Sequence, residues 1–209
     1  MLNAMSAGEH RLILLRHGET AWSAARRHTG RTDCALTEAG EAQARAAAKL
    51  LAGLNLRDPL ILTSPRERAV RTAELAGLRG AVIDDDLVEW DYGDYEGLTT
   101  PEIQQRSPGW TIFTGETPGG ETAEQVGKRA DHVLSRVVPE LSARDVLLVG
   151  HGHFSRVLIA RWCEFEVIEG RRFFMSTAAV TVLGHDHQAR TVVHHNLVPP
   201  LDPQEGSAA

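Results

Sequence analysis

The sequence predicts an α/β protein, a three-layer αβα sandwich built on a mainly parallel sheet. Three observations carry that expectation. Apolar runs of strand length recur at 12–15 (LILL), 60–63 (LILT) and 146–149 (VLLV), the pattern of strands buried on both faces. Segments rich in Ala, Leu, Glu and Arg separate them and read as helices. The chain's 209 residues suit one domain.

Each element follows in order. The first strand, 12–15, runs into Arg16, His17 and Gly18. From Leu36, LTEAGEAQARAAAKLLAGL forms a helix, with Thr37 as N-cap and Gly53 near its end. The strand at 60–63 is closed by Ser64 and Pro65, and RERAVRTAELAGL is helical. A third short strand at 81–83 leads into the Gly- and aromatic-rich LVEWDYGDYEGLTT. A short helix is expected at 101–106. SPGWTIFTGETPGGE is the longest irregular stretch, a candidate lid or inserted loop. ETAEQVGKRADHVLSRVVPEL returns to helix, the strand at 146–149 ends in GHGHF, and a helix follows near 155–164. AAVTVLG and RTVVHHNLV, joined by HDHQA, form a hairpin or paired edge strands. The expected organisation is a flexible N-terminus at 1–10, one domain at 11–198 with a substrate-lobe loop at 99–121, and a disordered tail at 199–209.

Composition narrows the function. The 22 Lys and Arg against 28 Asp and Glu leave a net charge of −6, which argues against nucleic-acid or anionic-membrane surfaces as partners. An anion site must then be a local basic pocket in an acidic protein. Two cysteines, Cys34 and Cys163, have neither CxxC nor zinc-like spacing. MLNAMSAGEH lacks the basic and apolar regions of a signal peptide. A cytoplasmic protein is expected.

The chemistry gathers at strand ends. In open parallel sheets, ligands bind beyond the carboxyl ends of the strands. There the chain places Arg16-His17-Gly18-Glu19-Thr20, then Ser64 with Arg68 one turn into the next helix, Glu89, and His151-Gly152. Two arginines and two imidazoles converging on one rim repel one another unless an anion lies between them. Arginine forks suit phosphate oxygens, and Gly18 and Gly152 admit backbone N–H groups to an anion. The sequence has no GxSxG elbow, P-loop, HExxH or CX5R-type cysteine. Imidazole can itself attack phosphorus, and His17 is placed for that.

RHGET, SPRERAVRTA, VEWDYGDYEG and VGHGHF resemble, in order, the four motifs of the histidine phosphatase superfamily, also called the phosphoglycerate mutase-like family. The resemblance spans nearly the whole chain. RHGETAWSAARRHTGRTDCALTEAG and EWDYGDYEGLTT look closest to actinobacterial acid phosphatases of this superfamily, and are similar to a sugar-bisphosphatase branch. The resemblance implies a phosphoglycerate mutase-like fold and a role for each matched residue. His17 would become phosphohistidine. Arg16, Arg68 and His151 would hold the phosphoryl oxygens. Glu89 would protonate the leaving alkoxide and then take a proton from water. Thr20, Thr29, Gly30 and Tyr92 would line the entrance and touch substrate, with Gly152 beside them. Ser23 stands where the family often has Asn; it can still donate to a phosphate oxygen, with shorter reach.

Blander readings compete at several positions. Without the resemblance, Glu89 is hard to choose over Asp91, Asp94 and Glu96 in the same acidic loop. Arg66 and Arg71 sit about 160° and 300° around the helix from Arg68 by the 3.6-residue repeat, so they read as solvated or rim charges. His185, His187, His194 and His195 read as solvated hairpin histidines, since neither run has ligand spacing on a helix. No metal and no cofactor are expected. His153 could touch substrate or cap the next helix, and His28 has a minor role at most. Trp162 reads as core; Trp22 and Trp90 adjoin motifs and are expected to wall the pocket.

The leading expectation is a metal-independent phosphomonoesterase acting on small phosphorylated metabolites. An acid carboxyl beside arginines is pulled both ways, which suggests a modestly acidic optimum. The alternatives are a cofactor-dependent phosphoglycerate mutase, which would need extra arginines where 99–121 offers only Arg106, and a non-catalytic phosphate-binding module. A homodimer is a further expectation.

Overall fold

A computed structural model describes residues 10–200. The segments expected to be flexible or disordered, 1–10 and 199–209, lie outside the described residues except at their inner ends. The strands are β1 (Leu12–Arg16), β2 (Leu60–Thr63), β3 (Val82–Ile83), β4 (Val146–Gly150), β5 (Val180–Asp186) and β6 (Ala189–Leu197), and the helices are α1 (Ala21–Ala24), α2 (Glu38–Gly53), α3 (Glu67–Leu75), α4 (Thr100–Gln104), α5 (Ala123–Val137) and α6 (Gly152–Trp162).

They form one sheet in the order β3-β2-β4-β1-β5-β6. β1 pairs parallel with β4, β4 with β2, and β2 with β3, whereas β5 runs antiparallel to both β1 and β6. Alternation along the strands sorts the core into two halves. Leu12, Leu14, Leu62, Val146 and Leu148 face α5 and α6, packing with Val126, Val133, Phe154 and Trp162. Ile13, Leu15, Ile61, Leu147 and Val149 face α2 and α3, packing with Ala47, Leu51, Ala69 and Ala73. This is the expected three-layer sandwich. β5 and β6 are the expected hairpin, turning at His187, whose φ is 55°.

The helix starts reflect their caps. The Thr37 hydroxyl accepts from Gly40 N–H ahead of α2, and Thr99 and Thr122 form capping boxes with Glu102 and Gln125 ahead of α4 and α5. α6 begins at Gly152, three residues earlier than expected, with His151 as N-cap. The strand ends and this early helix start bring the polar residues to one rim. β1 and β4 are in register to Arg16 and Gly150, and β2 matches Thr63 to Val149.

The irregular stretch after α4 is not a free lid. Trp110, Ile112 and Phe113 are buried in the core on the α5–α6 face. Gln104 Nε2 donates to the Trp110 carbonyl, and the Trp110 indole donates to the Glu116 carbonyl. Burial of three large apolar side chains anchors the segment.

Candidate active site

His17 stands one residue beyond β1, and its backbone is pinned on both sides. Its N–H donates to the Gly150 carbonyl at 2.9 Å, and its carbonyl accepts from Ala178 N–H at 3.0 Å. Its Nδ1 lies 2.7 Å from the Gly18 carbonyl. A carbonyl only accepts, so Nδ1 carries the proton and the lone pair sits on Nε2. Burial, followed by the charges of Arg16 and Arg68, holds the imidazole's pKa well below the ordinary histidine value. The ring is therefore neutral and nucleophilic at neutral pH.

Arg16 directs Nη1 to the Met175 carbonyl at 2.5 Å. Its buried Nε has no hydrogen-bond partner. That is costly for a guanidinium donor, and an anion's oxygen would satisfy it. The guanidinium lies against Gly152, where an added Cβ would sit 3.3 Å from Arg16 Cζ and Nε. Glycine at 152 keeps that space open.

Of the three candidate arginines on and before α3, Arg68 is the buried one. Arg71 pairs with Glu41 and Glu74 at the surface, and Arg66 occupies the N-cap position of α3. Arg68 is fully buried. Its Nη1 donates to the Thr32 carbonyl at 2.8 Å, and its Nη2 to those of Thr29 and Gly30 at 3.1 and 3.0 Å. Its Nε donates to His151 Nδ1 at 3.2 Å, which places the His151 proton on Nε2, 2.8 Å from Ser64 Oγ. The His17 and His151 rings meet edge-on at 5.2 Å. The expected repulsion among two arginines and two imidazoles is relieved in a way the sequence did not suggest. Carbonyls surround Arg68, and burial first, then Arg68, lowers the His151 pKa so that its ring is neutral.

Glu89 reaches the same cavity from the loop after β3. Its Oε1 accepts from Trp90 and Phe154 N–H at 2.9 and 2.7 Å, and its Oε2 from His153 N–H at 3.0 Å. Two of those donors belong to the first turn of α6, where N–H groups lack helical partners. Arg129 fixes the loop behind it, donating to the carbonyls of Asp86, Val88 and Glu89 and pairing with Glu121.

The cavity holds about 720 Å³, and Arg16, His17, Ser23, Thr29, Glu89, Tyr92 and Gly152 all line it. Arg68 and His151 are buried outside its lining, the His151 ring against His17 and Arg68 behind His151. Thr20 and Gly30, expected to touch substrate, do not line it either. Thr20 is the fully buried N-cap of α1, and Gly30 gives its carbonyl to Arg68 and its N–H to Glu96. Ser23 lines the cavity, but its hydroxyl donates to the Thr20 carbonyl within the α1 capping box. Trp90 and Trp22 are not walls. Trp90 is buried against Phe113, and Trp22 packs on Gly97. Trp162 is core, as expected. His185 packs on the Trp162 ring and His195 on Phe173, so these two are not simply solvated. Among the described residues, no three His, Cys, Asp or Glu side chains cluster as metal ligands would.

Sequence reasoning undervalued one wall. Tyr92 OH lies 2.6 Å from His153 Nδ1. Burial, reinforced by Glu89, raises the phenol's pKa well above its usual value, so Tyr92 donates and His153 keeps its proton on Nε2. His28 packs on Tyr92, Trp110 and His153, and burial lowers its pKa to about 4. Arg156 also lines the cavity. Its spacing was a readable signal, since 152 and 156 share a face of one helix. Met175, Ser176 and Thr177 complete the mouth from a loop that gave no such signal.

A sequence model of the histidine phosphatase superfamily (branch 1) matches residues 12–198. The chain belongs to that superfamily. Within it, the chain is 49% identical over 186 residues to an acid phosphatase of Mycobacterium tuberculosis, covering 89% of this chain and 92% of that protein. It is 36% identical over 182 residues to a sedoheptulose 1,7-bisphosphatase of Saccharomyces cerevisiae, covering 73% and 67%. The solved structure of the Rv3214 product of Mycobacterium tuberculosis superposes with a TM-score of 0.90 at 48% identity, covering 91% of this chain and 99% of that one. A mycobacterial glucosyl-3-phosphoglycerate phosphatase solved with VO3 gives 0.78 at 32% identity, covering 90% and 99%. The residues that carry the resemblance lie at the end of β1, at the start of α3, in the loop after β3 and just beyond β4. No helix among the described residues is long and apolar enough to cross a membrane.

Proposed function

We propose that this protein is a phosphomonoesterase that hydrolyses small phosphorylated metabolites through a phosphohistidine at His17. The observation that carries the reading is the Nδ1 contact of His17 with the Gly18 carbonyl, which leaves Nε2 as an unprotonated nucleophile in the cavity that Glu89 lines.

His17 Nε2 attacks phosphorus in line, forming the N–P bond as the P–O bond to the leaving group breaks. Protonated Glu89 gives its proton to the departing oxygen. Arg16, with its unpartnered Nε beside Gly152, takes up the charge of the transferring phosphoryl oxygens. Arg68 and His151 hold the His17 ring and the 29–32 loop from beneath. Water then attacks phosphorus and loses a proton to Glu89, the N–P bond breaks, and orthophosphate leaves.

The mutase reading has less support. Arg106, the single arginine of the 99–121 segment, does not line the cavity. A homodimer and cytoplasmic residence belong to this proposal, and light scattering tests the first. The function is tested with a chromogenic aryl phosphate on wild type and His17→Ala. Turnover abolished in His17→Ala is the expected result. Equal rates would end the reading.

A further inference from the structure

The groups that orient Arg16 and His17 extend to the far edge of the sheet. The loop at 175–179 meets this pair at three points. The Met175 carbonyl accepts from Arg16 Nη1 at 2.5 Å, the Ala179 carbonyl accepts from Arg16 N–H at 3.1 Å, and Ala178 N–H donates to the His17 carbonyl at 3.0 Å. Ala178 and Ala179 lead straight into β5 and are held by these backbone bonds. Met175 and Ser176 lie further out, at the mouth of the cavity. Among the described residues, the Met175 carbonyl is the one hydrogen-bond acceptor that the Arg16 side chain reaches. The direction of the guanidinium therefore depends on where that carbonyl points.

The carbonyl is held from β6. Val180 pairs with Leu197 and Val182 with His194, so His195 and Asn196 together oppose the single residue Thr181. A bulge of this kind re-aims a side chain. Asn196 takes a left-handed φ of 54°, a region where asparagine is enriched among residues other than glycine. Its N–H donates to Oγ1 of the fully buried Thr181 at 3.2 Å. Its Oδ1 accepts from Ser176 N–H at 2.7 Å, and its Nδ2 donates to Ser176 Oγ at 3.4 Å. Ser176 N–H and the Met175 carbonyl belong to one peptide unit. That unit is planar and trans, so its N–H and its carbonyl point opposite ways. Asn196 holds one side of the plane and Arg16 meets the other. Rotating the carbonyl away from Arg16 breaks the bond to Asn196.

We infer that Asn196 is a positioning residue, which aims the Arg16 guanidinium at the transferring phosphoryl group through the 175–176 peptide. Asn196 does not line the cavity, and its strand stands two places from β1 in the sheet. The assignment rests on the phosphatase reading and adds to it a residue that acts on the reaction only through another.

The experiment measures kcat and KM for an aryl phosphate with a good leaving group in wild type, Asn196→Gly and Asn196→Asp, each also in an Arg16→Ala background. Glycine accepts the left-handed φ without strain, so this variant removes the side chain alone. Aspartate keeps an oxygen for Ser176 N–H. Asn196→Gly should lower kcat/KM by about tenfold, Asn196→Asp should recover most of that loss, and the glycine effect should vanish in the Arg16→Ala background. General loosening of the fold would act equally in both backgrounds. If the glycine variant is too unstable to assay, Thr181→Val, which removes the acceptor for Asn196 N–H, goes through the same cycle with the same expectation. An unchanged kcat/KM, a loss that aspartate does not recover, or a loss undiminished without Arg16 overturns the assignment and leaves the phosphatase reading standing. A wild type that does not hydrolyse the ester overturns that reading instead. Titration with inorganic phosphate then decides the assignment: affinity weakened about tenfold in Asn196→Gly supports it, and equal affinity overturns it.

Discussion

Arg68 Nε donates to His151 Nδ1 across 3.2 Å, and the rest of that guanidinium reaches the carbonyls of Thr29, Gly30 and Thr32, with the Asp33 carboxylate 3.8 Å from Nη1. One buried fork therefore ties α3, the end of β4 and the 29–32 loop together beneath His17. Lysine carries the charge but not the planar set of donors. Arg68→Lys should lower kcat by about a hundredfold. Arg68→Ala should also cost about 2–4 kcal/mol of stability, because it leaves buried carbonyls unpaired. Steady-state kinetics and denaturant unfolding check the two parts separately.

Glu89→Gln keeps an acceptor oxygen for the Trp90 and Phe154 N–H groups, loses the one that His153 N–H uses, and cannot supply a proton. Its effect should depend on the leaving group. An alkyl phosphate, which needs a proton on its departing oxygen, should lose about 10²–10⁴-fold in kcat, and an aryl phosphate with a good leaving group much less. Equal losses on both esters would show that Glu89 does not act as the acid.

Gly152→Ala places a methyl 3.3 Å from the Arg16 guanidinium. The arginine must give way by a few tenths of an ångström. The expected outcome is a fall of about tenfold in kcat/KM with little change in thermal midpoint, since the disturbed group is a side-chain end and not backbone. A large loss of stability with normal kinetics in the surviving fraction would contradict the placement.

The buried histidines set the direction of pH dependence. His17, His151 and His153 all have folded pKa values well below 6.5. Between 6.5 and those values the unfolded chain binds more protons than the folded one. Stability is therefore fully present above pH 6.5 and declines as pH falls below it. The thermal midpoint should be lower at pH 5 than at pH 7.5. The nucleophile itself stays neutral across that window, so the acid limb of the rate profile should not break near 6.5. A break there would mean that His17 titrates as an ordinary solvent-exposed imidazole.

The strands and most helices were legible because apolar runs of strand length alternate with amphipathic segments bounded by Thr caps. Arg16, His17 and Gly152 line the cavity at the strand ends where the sequence puts them, whereas Glu89 stands out from the acidic residues around it only through the resemblance. The site was less legible where position depends on what a residue packs against. Thr20 and Gly30 share motifs with pocket residues, yet one is a helix cap and the other gives the Arg68 fork a carbonyl acceptor. Arg156 shares the cavity face of α6 with Gly152, a spacing that carries meaning only with the helix start at Gly152. The 107–121 stretch reads as loop from its Gly and Pro, but Trp110, Ile112 and Phe113 give it the anchoring of a core element.

The most direct test of His17 as the group that carries phosphorus is a rapid quench during turnover, followed by mass analysis of the peptide containing residues 12–26. Mild alkaline handling preserves phosphohistidine. The account predicts a phosphoryl group on His17 that accumulates within the first turnover and is absent from His17→Ala. Full turnover with no phosphoryl group on that peptide, or the group found on another residue, would contradict it.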